Sequence, residues 1–366
     1  MPFMLFRGLR GAPRNSTYRR LAALMLLPLC LLQGQTTSPL ELVKQATPPP
    51  SERLPYGKSP LQFGELRLPA GTGQFPVAIL VHGGCWEVKL GNLPESVTSF
   101  ELLRPIAAAL AAAGIASWNV EYRRLGNEGG GWPGTYQDLS RATDYLRELA
   151  PRYHLDLKHA VAVGHSSGGQ LALWLGARGK LPKSSMLYTN SPLPLNGVVS
   201  VDGPPDLEAD RAIEQSVCGG PVITQFVGGT PAEFPGRYRE GSASGLLPIG
   251  TRQEVFVAGT HGEQWLTLFK QYVAAAEKAG DPVPSMICPL RITTSYGVRA
   301  AAKSSRGKRS GIGAVYAGRN GARESWGDRR FETWPIWPTG ACLPISERRP
   351  AIVCWPSPPA TPVLAG

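Results

Sequence analysis

The stretch VAVGHSSGGQLALWLG, residues 161 to 176, changes character at one serine. An apolar run leads in as a buried strand would, small and polar residues follow, and apolar side chains then return at helical spacing. Gly164, His165, Ser166, Ser167 and Gly168 spell G-x-S-x-G across that change. Such a turn has a physical requirement: strand must pass to helix through a strained conformation that lifts the hydroxyl clear, and flanking glycines let neighbouring backbone close in. A Gly/Ser turn by itself is a weak sign of reactivity. Its place between AVAV and QLALWL supplies the context that makes Ser166 a candidate nucleophile.

Working outward, strand-like and helix-like runs alternate from residue 61 onward. FPVAILVHGG (75 to 84) is a short apolar run ending in two glycines, and ELLRPIAAALAAAG (101 to 114) is a helical pattern closed by glycine. IASWNVEYR (115 to 123) reads as the next strand and TYQDLSRATDYLRELAPRY (135 to 153) as an amphipathic helix. AVAVGH (160 to 165) and SGGQLALWLGAR (167 to 178) are the strand and helix around the serine. NGVVSVDGP (196 to 204) and QEVFVAGT (253 to 260) read as further strands, with a helix at WLTLFKQYVAAAEKAG (265 to 280). The alternation predicts an α/β fold, a mostly parallel central sheet with helices on both faces. At residue 285 the pattern stops: the remainder has no sustained period, and four of the nine Trp lie there without an apolar stripe to bury them.

A second motif bears on the serine. HGGCW, His82 to Trp86, follows the strand 75 to 81, where a glycine-rich loop exposes backbone N–H groups. The oxyanion of an acyl-transfer intermediate needs two or three such donors. One comes from the residue after the nucleophile, here Ser167, and the others from this loop, near Gly84 and Cys85. His82 reads as structural.

These motifs resemble the α/β-hydrolase superfamily, in its bacterial esterase/lipase and feruloyl-esterase-like group, over roughly residues 60 to 282. The resemblance rests on HGGCW, WNVEYRR (118 to 124), WPGTYQDL (132 to 139), GHSSGGQLALW (164 to 174), VGGTPAEFPGRYREGSASGLLP (227 to 248) and VFVAGTHGEQW (255 to 265). It implies the α/β-hydrolase fold, Ser166 as nucleophile, Gly84, Cys85 and Ser167 as oxyanion donors, and a small-molecule ester substrate. It implies also that His165 turns away from the serine and is a poor general base.

A serine hydroxyl needs a base, normally a histidine held by a carboxylate, in the chain order serine, acid, histidine. The family's acid follows the strand VFVAGT as H-G-T-x-D-x-x-V-P. Here Ala258, Gly259, Thr260, His261 and Gly262 fill the first five places, so glycine stands where the Asp belongs. Glu263, one place later, is either the carboxylate or a solvated surface charge. Asp202 and Asp206 in VDGPPDL are set aside as structural or pocket-lining. The family's histidine belongs some twenty to thirty residues after the acid, but no histidine follows His261. Glu263 and His261 are therefore the in-frame candidates, and the chain as written is expected to be an impaired serine hydrolase. An amidase or peptidase of the same fold, or a non-catalytic binding protein, is the alternative.

The genetic code offers an account of the missing loop. Codons for SMICPLRITTSY can be chosen so that a displaced reading gives D-L-P, two small residues and then H-H-Y-E-L, the histidine loop at the expected distance. A frameshift between about residues 280 and 286 also explains the sudden loss of period and the basic charge of the tail.

The chain carries a net charge of +11, but the excess sits at its ends. Residues 1 to 35 hold five Arg and no acid, and residues 286 to 366 hold twelve Lys or Arg against four acids. That distribution argues against nucleic-acid binding. Arg7 to Arg20, then LAALMLLPLCLL (21 to 32), then polar residues follow the order of a secretory signal peptide, so a secreted or periplasmic protein is expected. The apolar run is shorter than the roughly 20 residues a bilayer span needs. The expected organisation is a signal-like segment 1–35, a Pro-rich linker 36–59, a hydrolase domain 60–285 and an irregular, out-of-frame tail 286–366. Of six Cys, Cys85 and Cys218 lie in the patterned body; they are either a disulfide or two buried thiols. No cofactor motif and no clustered metal ligands are present. Sequencing the gene across codons 280 to 290 is expected to reveal the gained or lost base; unbroken coding, with related genes sharing the tail, overturns the frameshift.

Overall fold

Eight short strands form one sheet in the order β1-β2-β4-β3-β5-β6-β7-β8. They are β1 (Glu52–Pro55), β2 (Phe63–Arg67), β3 (Phe75–Val81), β4 (Ala116–Val120), β5 (Leu155–His165), β6 (Gly197–Val201), β7 (Arg252–Ala258) and β8 (Ser285–Cys288). β2 runs antiparallel to both β1 and β4, and from β4 to β8 every pairing is parallel. The computed structural model describes residues 39–44, 46–89, 98–258, 261–281, 283, 285–288, 342–344 and 352–354. The signal-like segment and most of the basic tail, with the expectations placed on them, lie outside these residues.

The helices are α1 (Pro39–Lys44), α2 (Arg104–Ala112), α3 (Gly134–Asp144), α4 (Leu146–Tyr153), α5 (Ser167–Ala177), α6 (Arg211–Cys218), α7 (Val222–Val227), α8 (Pro235–Gly241) and α9 (Glu263–Lys278). A parallel strand is covered on both faces, and β3 shows how this sequence does it. Val77, Ile79 and Val81 enter one core cluster, while Ala78 and Leu80 enter the other with Ile106 and Leu110 of α2. On β4, Trp118 fills the first cluster, and the polar residues of the opposite face donate into the backbone of the covering segment: Ser117 to the Ala107 carbonyl and Asn119 Nδ2 to that of Phe100. α5 is apolar nearly all round, and all but one of its residues are buried. Among the described residues no helix is long and apolar enough to cross a membrane.

The structure departs from the expected organisation in four places. The segment 36–59 is no free linker, since it supplies α1 and the edge strand β1, whose Pro55 is tolerated at the end of an edge strand. β5 begins at Leu155 rather than 160, because a register shift between Pro76 and Val77 lets residues 157–159 bulge out of the ladder. The sheet continues past residue 285, with Val255 to Ala258 of β7 paired to Ser285 to Cys288. In the tail, Cys342–Pro344 and Ile352–Cys354 pair as two three-residue strands, too short to show a period.

Behind the sheet, Asp138 of α3 ties helix, strand end and N-terminal hairpin together. Its carboxylate, 1% exposed, accepts from Gln62 Nε2 at 2.6 Å and from Arg123 Nε at 2.8 Å and NH2 at 2.7 Å. Removing the carboxylate leaves Gln62 Nε2 and the partly buried Arg123 guanidinium without their acceptor. Asp138→Ala is expected to destabilise the fold by about 1 to 3 kcal/mol, read from urea unfolding, with Asp138→Asn falling between it and the native chain.

Candidate active site

Ser166 has φ 54° and ψ −129°, a conformation that non-glycine residues seldom adopt. Its N–H donates to the Val201 carbonyl at 2.8 Å, and its own carbonyl accepts from Gly169 and Gln170, starting α5. The flanking glycines are required by contact. A Cβ on Gly164 would stand 2.0 Å from the Gly168 carbonyl oxygen, and one on Gly168 would stand 2.2 Å from that of Val81. The G-x-S-x-G spacing is thus what allows α5 to sit against the ends of β3 and β5.

The second motif passes beside the serine. A Cβ on Gly83 would stand 3.1 Å from Ser166 Cβ and 2.6 Å from the His165 carbonyl oxygen. Gly84, Cys85 and Trp86 then all have positive φ, at 110°, 52° and 57°. Contacts that hold this loop include Glu87 N–H to the Gly84 carbonyl, Leu125 N–H to the Trp86 carbonyl at 2.8 Å, Trp86 Nε1 to Gln170 Oε1 at 3.0 Å, and a disulfide from Cys85 to Cys218. Of the two readings open for these cysteines, the structure holds the bonded one. His82 is buried in a network of its own, 3.0 Å from Glu121 Oε1 and 2.8 Å from Ser99 Oγ, with Tyr122 stacked on its ring. Burial pushes the Glu121 carboxyl upward, and His82, Arg124 and the Tyr122 amide outweigh it, holding the group below its ordinary value.

The structure groups the remaining candidates differently from the sequence reading. Glu263 is exposed in the first turn of α9, a favourable place for a negative charge, and no contact joins it to His261. The carboxylate beside His261 is that of Asp202 rather than Glu263. Asp202 sits at the end of β6 with φ 51°, 3% exposed, and accepts the Ala258 N–H at 2.8 Å. His261 Nε2 lies 3.0 Å from Asp202 Oδ1, without the alignment of a hydrogen bond, and its ring stacks on Trp265 at 4.1 Å. Because Ser166 N–H is bonded to Val201, the residue before Asp202, serine and carboxylate stand on adjacent strand ends. Ser166, Asp202 and His261 follow the chain order serine, acid, histidine, with the acid one strand earlier than the motif places it. Sheet order was the signal that would have found Asp202. Burial lowers the His165 imidazole below its ordinary value, against the opposing pull of Asp202.

A narrow cleft opens at Ser166, with Trp86, Ser167, Cys218 and Trp265 in its wall. Asp210 and Glu214, one turn apart on the segment leading into and through α6, also line it. Glu214 accepts the Ile223 N–H at 2.7 Å, and Asp210 the Asp206 N–H at 2.9 Å. A larger cleft among Tyr56, Arg141, Glu148 and Tyr188 shares none of this lining. Among the described residues no group of three or more His, Cys, Asp or Glu is placed to hold a metal ion.

Burial raises the Asp210 carboxyl to about 7, so the folded chain keeps a proton that the unfolded chain releases near pH 4. Its contribution to stability is therefore complete below about pH 4 and is lost progressively as pH rises from there through 7. Asp210→Asn, which cannot ionise, is expected to match the native chain near pH 3 and to exceed it by about 4 kcal/mol at pH 8, read from Tm across pH.

Residues 65–245 match the family described as BD-FAE. Among solved structures, the chain is similar to an esterase B from Lactobacillus rhamnosis, with 17% identity over 75% of this chain and 85% of that one, TM-score 0.54. It is similar also to an acetyl ester-xyloside bifunctional hydrolase from Caldicellulosiruptor lactoaceticus, with 16% identity over 66% and 87%, TM-score 0.51. A thermophilic esterase from the Planctomycetes species Thermogutta terrifontis aligns at 16% identity over 65% and 83%, TM-score 0.50. No curated protein matches the chain. With adjacent strand ends, a strained serine between strand and helix and a glycine-rich loop beside it, the chain has the α/β-hydrolase fold, and its residues 65–245 match the esterase-like BD-FAE family.

Proposed function

We propose that this protein hydrolyses carboxylic esters through an acyl-enzyme on Ser166. The observation that carries this reading is the strained Ser166 turn lying against the Gly83–Trp86 loop. Ser166 Oγ attacks the ester carbonyl, and its proton passes to the imidazole of His261. Asp202, already at ion-pair distance, stabilises the imidazolium that forms. The charge on the carbonyl oxygen is taken by the amides of Ser167, Gly84 and Cys85. Collapse expels the alcohol with the proton from His261, and water then releases the acid by the same steps in reverse. Substrate enters through the cleft at Ser166, and no cofactor takes part in any step.

One observation favours a second reading of the base. In the serine–histidine–aspartate template Nδ1 faces the carboxylate and Nε2 the serine, whereas here Nε2 faces Asp202. In that reading His261 stands in for a histidine encoded after β8 in the displaced frame. The chain as translated is then an impaired esterase, retaining about 10³ to 10⁴ fold over water from its oxyanion site and binding. The signal-like N-terminus supports action outside the cytoplasm.

A fluorophosphonate probe is expected to label the native chain and not Ser166→Ala, and labelling of neither chain overturns the reading. On nitrophenyl esters of graded acyl length, His261→Ala is expected to lower kcat by about 10³-fold or more, and Asp202→Asn by a comparable factor. If His261→Ala leaves a weak activity unchanged while the frame-restored chain gains about that factor, the second reading holds.

A further inference from the structure

The residues that fix the Gly83–Trp86 loop raise a question of geometry. Cys85 is no glycine, yet its backbone is left-handed, flanked by Gly84 and Trp86 that are left-handed too. Such conformations persist where the surroundings over-determine them. Trp86 is well held, at 2% exposure, by Gln170 on α5 and by stacking on Phe226 of α7. Cys85 is only half-buried; its side chain packs against the edge of the core and is bonded to Cys218, 133 residues away. Cys218 ends α6, the same helix whose Ile213, Glu214 and Val217 line the cleft at Ser166. The bridge thus joins two sides of one site: the loop that passes beside the serine, and the helix that walls the cleft.

We propose that Cys218 is a positioning residue for this reaction, holding the amide of Cys85 in its left-handed orientation through the disulfide, so that the chain turns over in its oxidised form and slows on reduction. The proposal rests on the ester-hydrolase reading. Reduction is balanced by a dithiol reagent: two electrons and two protons pass to the bridge, leaving the thiols of Cys85 and Cys218, and the reagent closes to its cyclic disulfide. Once released, the Cys85 backbone is free to leave the left-handed region, and an amide aimed at the developing oxyanion loses its direction. Loss of a whole oxyanion donor costs about 10²- to 10³-fold in kcat, so loosening one is expected to cost about 10- to 100-fold. The ground-state carbonyl gains little from that amide, and KM is expected to stay within about twofold.

The test compares the oxidised full chain, the same chain reduced with dithiothreitol and reoxidised, and Cys218→Ser, on one nitrophenyl ester at 25 °C. The proposal expects kcat to fall with KM held and far-UV circular dichroism unchanged, and to return on reoxidation. Cys85→Ser, which keeps the backbone N–H, and the double variant are expected to match Cys218→Ser rather than to add to it. A bridge that only stabilises the fold would lower Tm and leave kcat alone, and that result overturns the proposal. Hydrogen exchange of the amides at 83–87 gives a readout independent of turnover. Faster exchange there on reduction, with β3 unchanged, supports the positioning role, and no change overturns it. If the oxidised chain shows no turnover dependent on Ser166, the hydrolase reading fails, while the exchange measurement still decides the bridge.

Discussion

A serine held at φ 54° and ψ −129° stores strain, on the order of 1 to 3 kcal/mol, that the rest of the domain must hold in place. The holding contact is backbone against backbone. α5 meets the ends of β3 and β5 so closely at Gly164 and Gly168 that no side chain fits there. Burial of α5 along nearly its whole length drives that approach, since the helix has no polar face to turn to water. The local strain and the global packing therefore rest on one interaction. Loosening the helix would relax the serine, and relaxing the serine would open the helix N-terminus.

Around that point the same chemical group takes different parts according to what surrounds it. Glu121 is buried, yet His82, Arg124 and a backbone amide keep it on the ionised side, and it serves to fix the strand end that carries the glycine-rich loop. Asp210 is buried with one backbone amide for company, and burial carries its carboxyl to about 7. Asp202 also receives a backbone amide, but it has a histidine within ion-pair distance. All three are buried. The number and sign of their neighbours decides between a structural anion, a proton-holding wall of the cleft and a partner for an imidazole.

What was legible in the sequence follows from which interactions are local. The strand-to-helix turn at Ser166, the glycine-rich loop and the alternation of elements are set by residues a few positions apart, and the expected α/β sheet has the observed central strands. Edge strand β1 was read as linker because proline and charge dominate a segment whose pairing is decided by β2, across a turn. The bulge that lengthens β5 answers to Pro76 on its neighbour, and no pattern within 155–165 announces it. At the site, chain order was read against the family's strand, which led to Glu263. Asp202 is brought beside His261 by the place of β6 between β5 and β7, and adjacency in a parallel sheet is not adjacency in sequence. The Cys85–Cys218 bond spans 133 residues and was in the same way left open.

Parallel-sheet geometry also says why an acid displaced by one strand is compatible with the proposed chemistry. Neighbouring strands lie about 4.8 Å apart, so moving a carboxylate from the end of β7 to the end of β6 shifts it by little more than the width of an imidazole. A histidine just past β7 can meet that carboxylate without a long loop, and His261 does so while its N–H bonds back to the Ala258 carbonyl. The cost falls on the direction of the ring. His261, arriving from the end of β7, presents Nε2 to Asp202. The serine–histidine–aspartate template has the ring the other way round, with Nδ1 toward the carboxylate and Nε2 toward the serine. The orientation of the His261 ring is therefore where the two proposed accounts of the base differ physically.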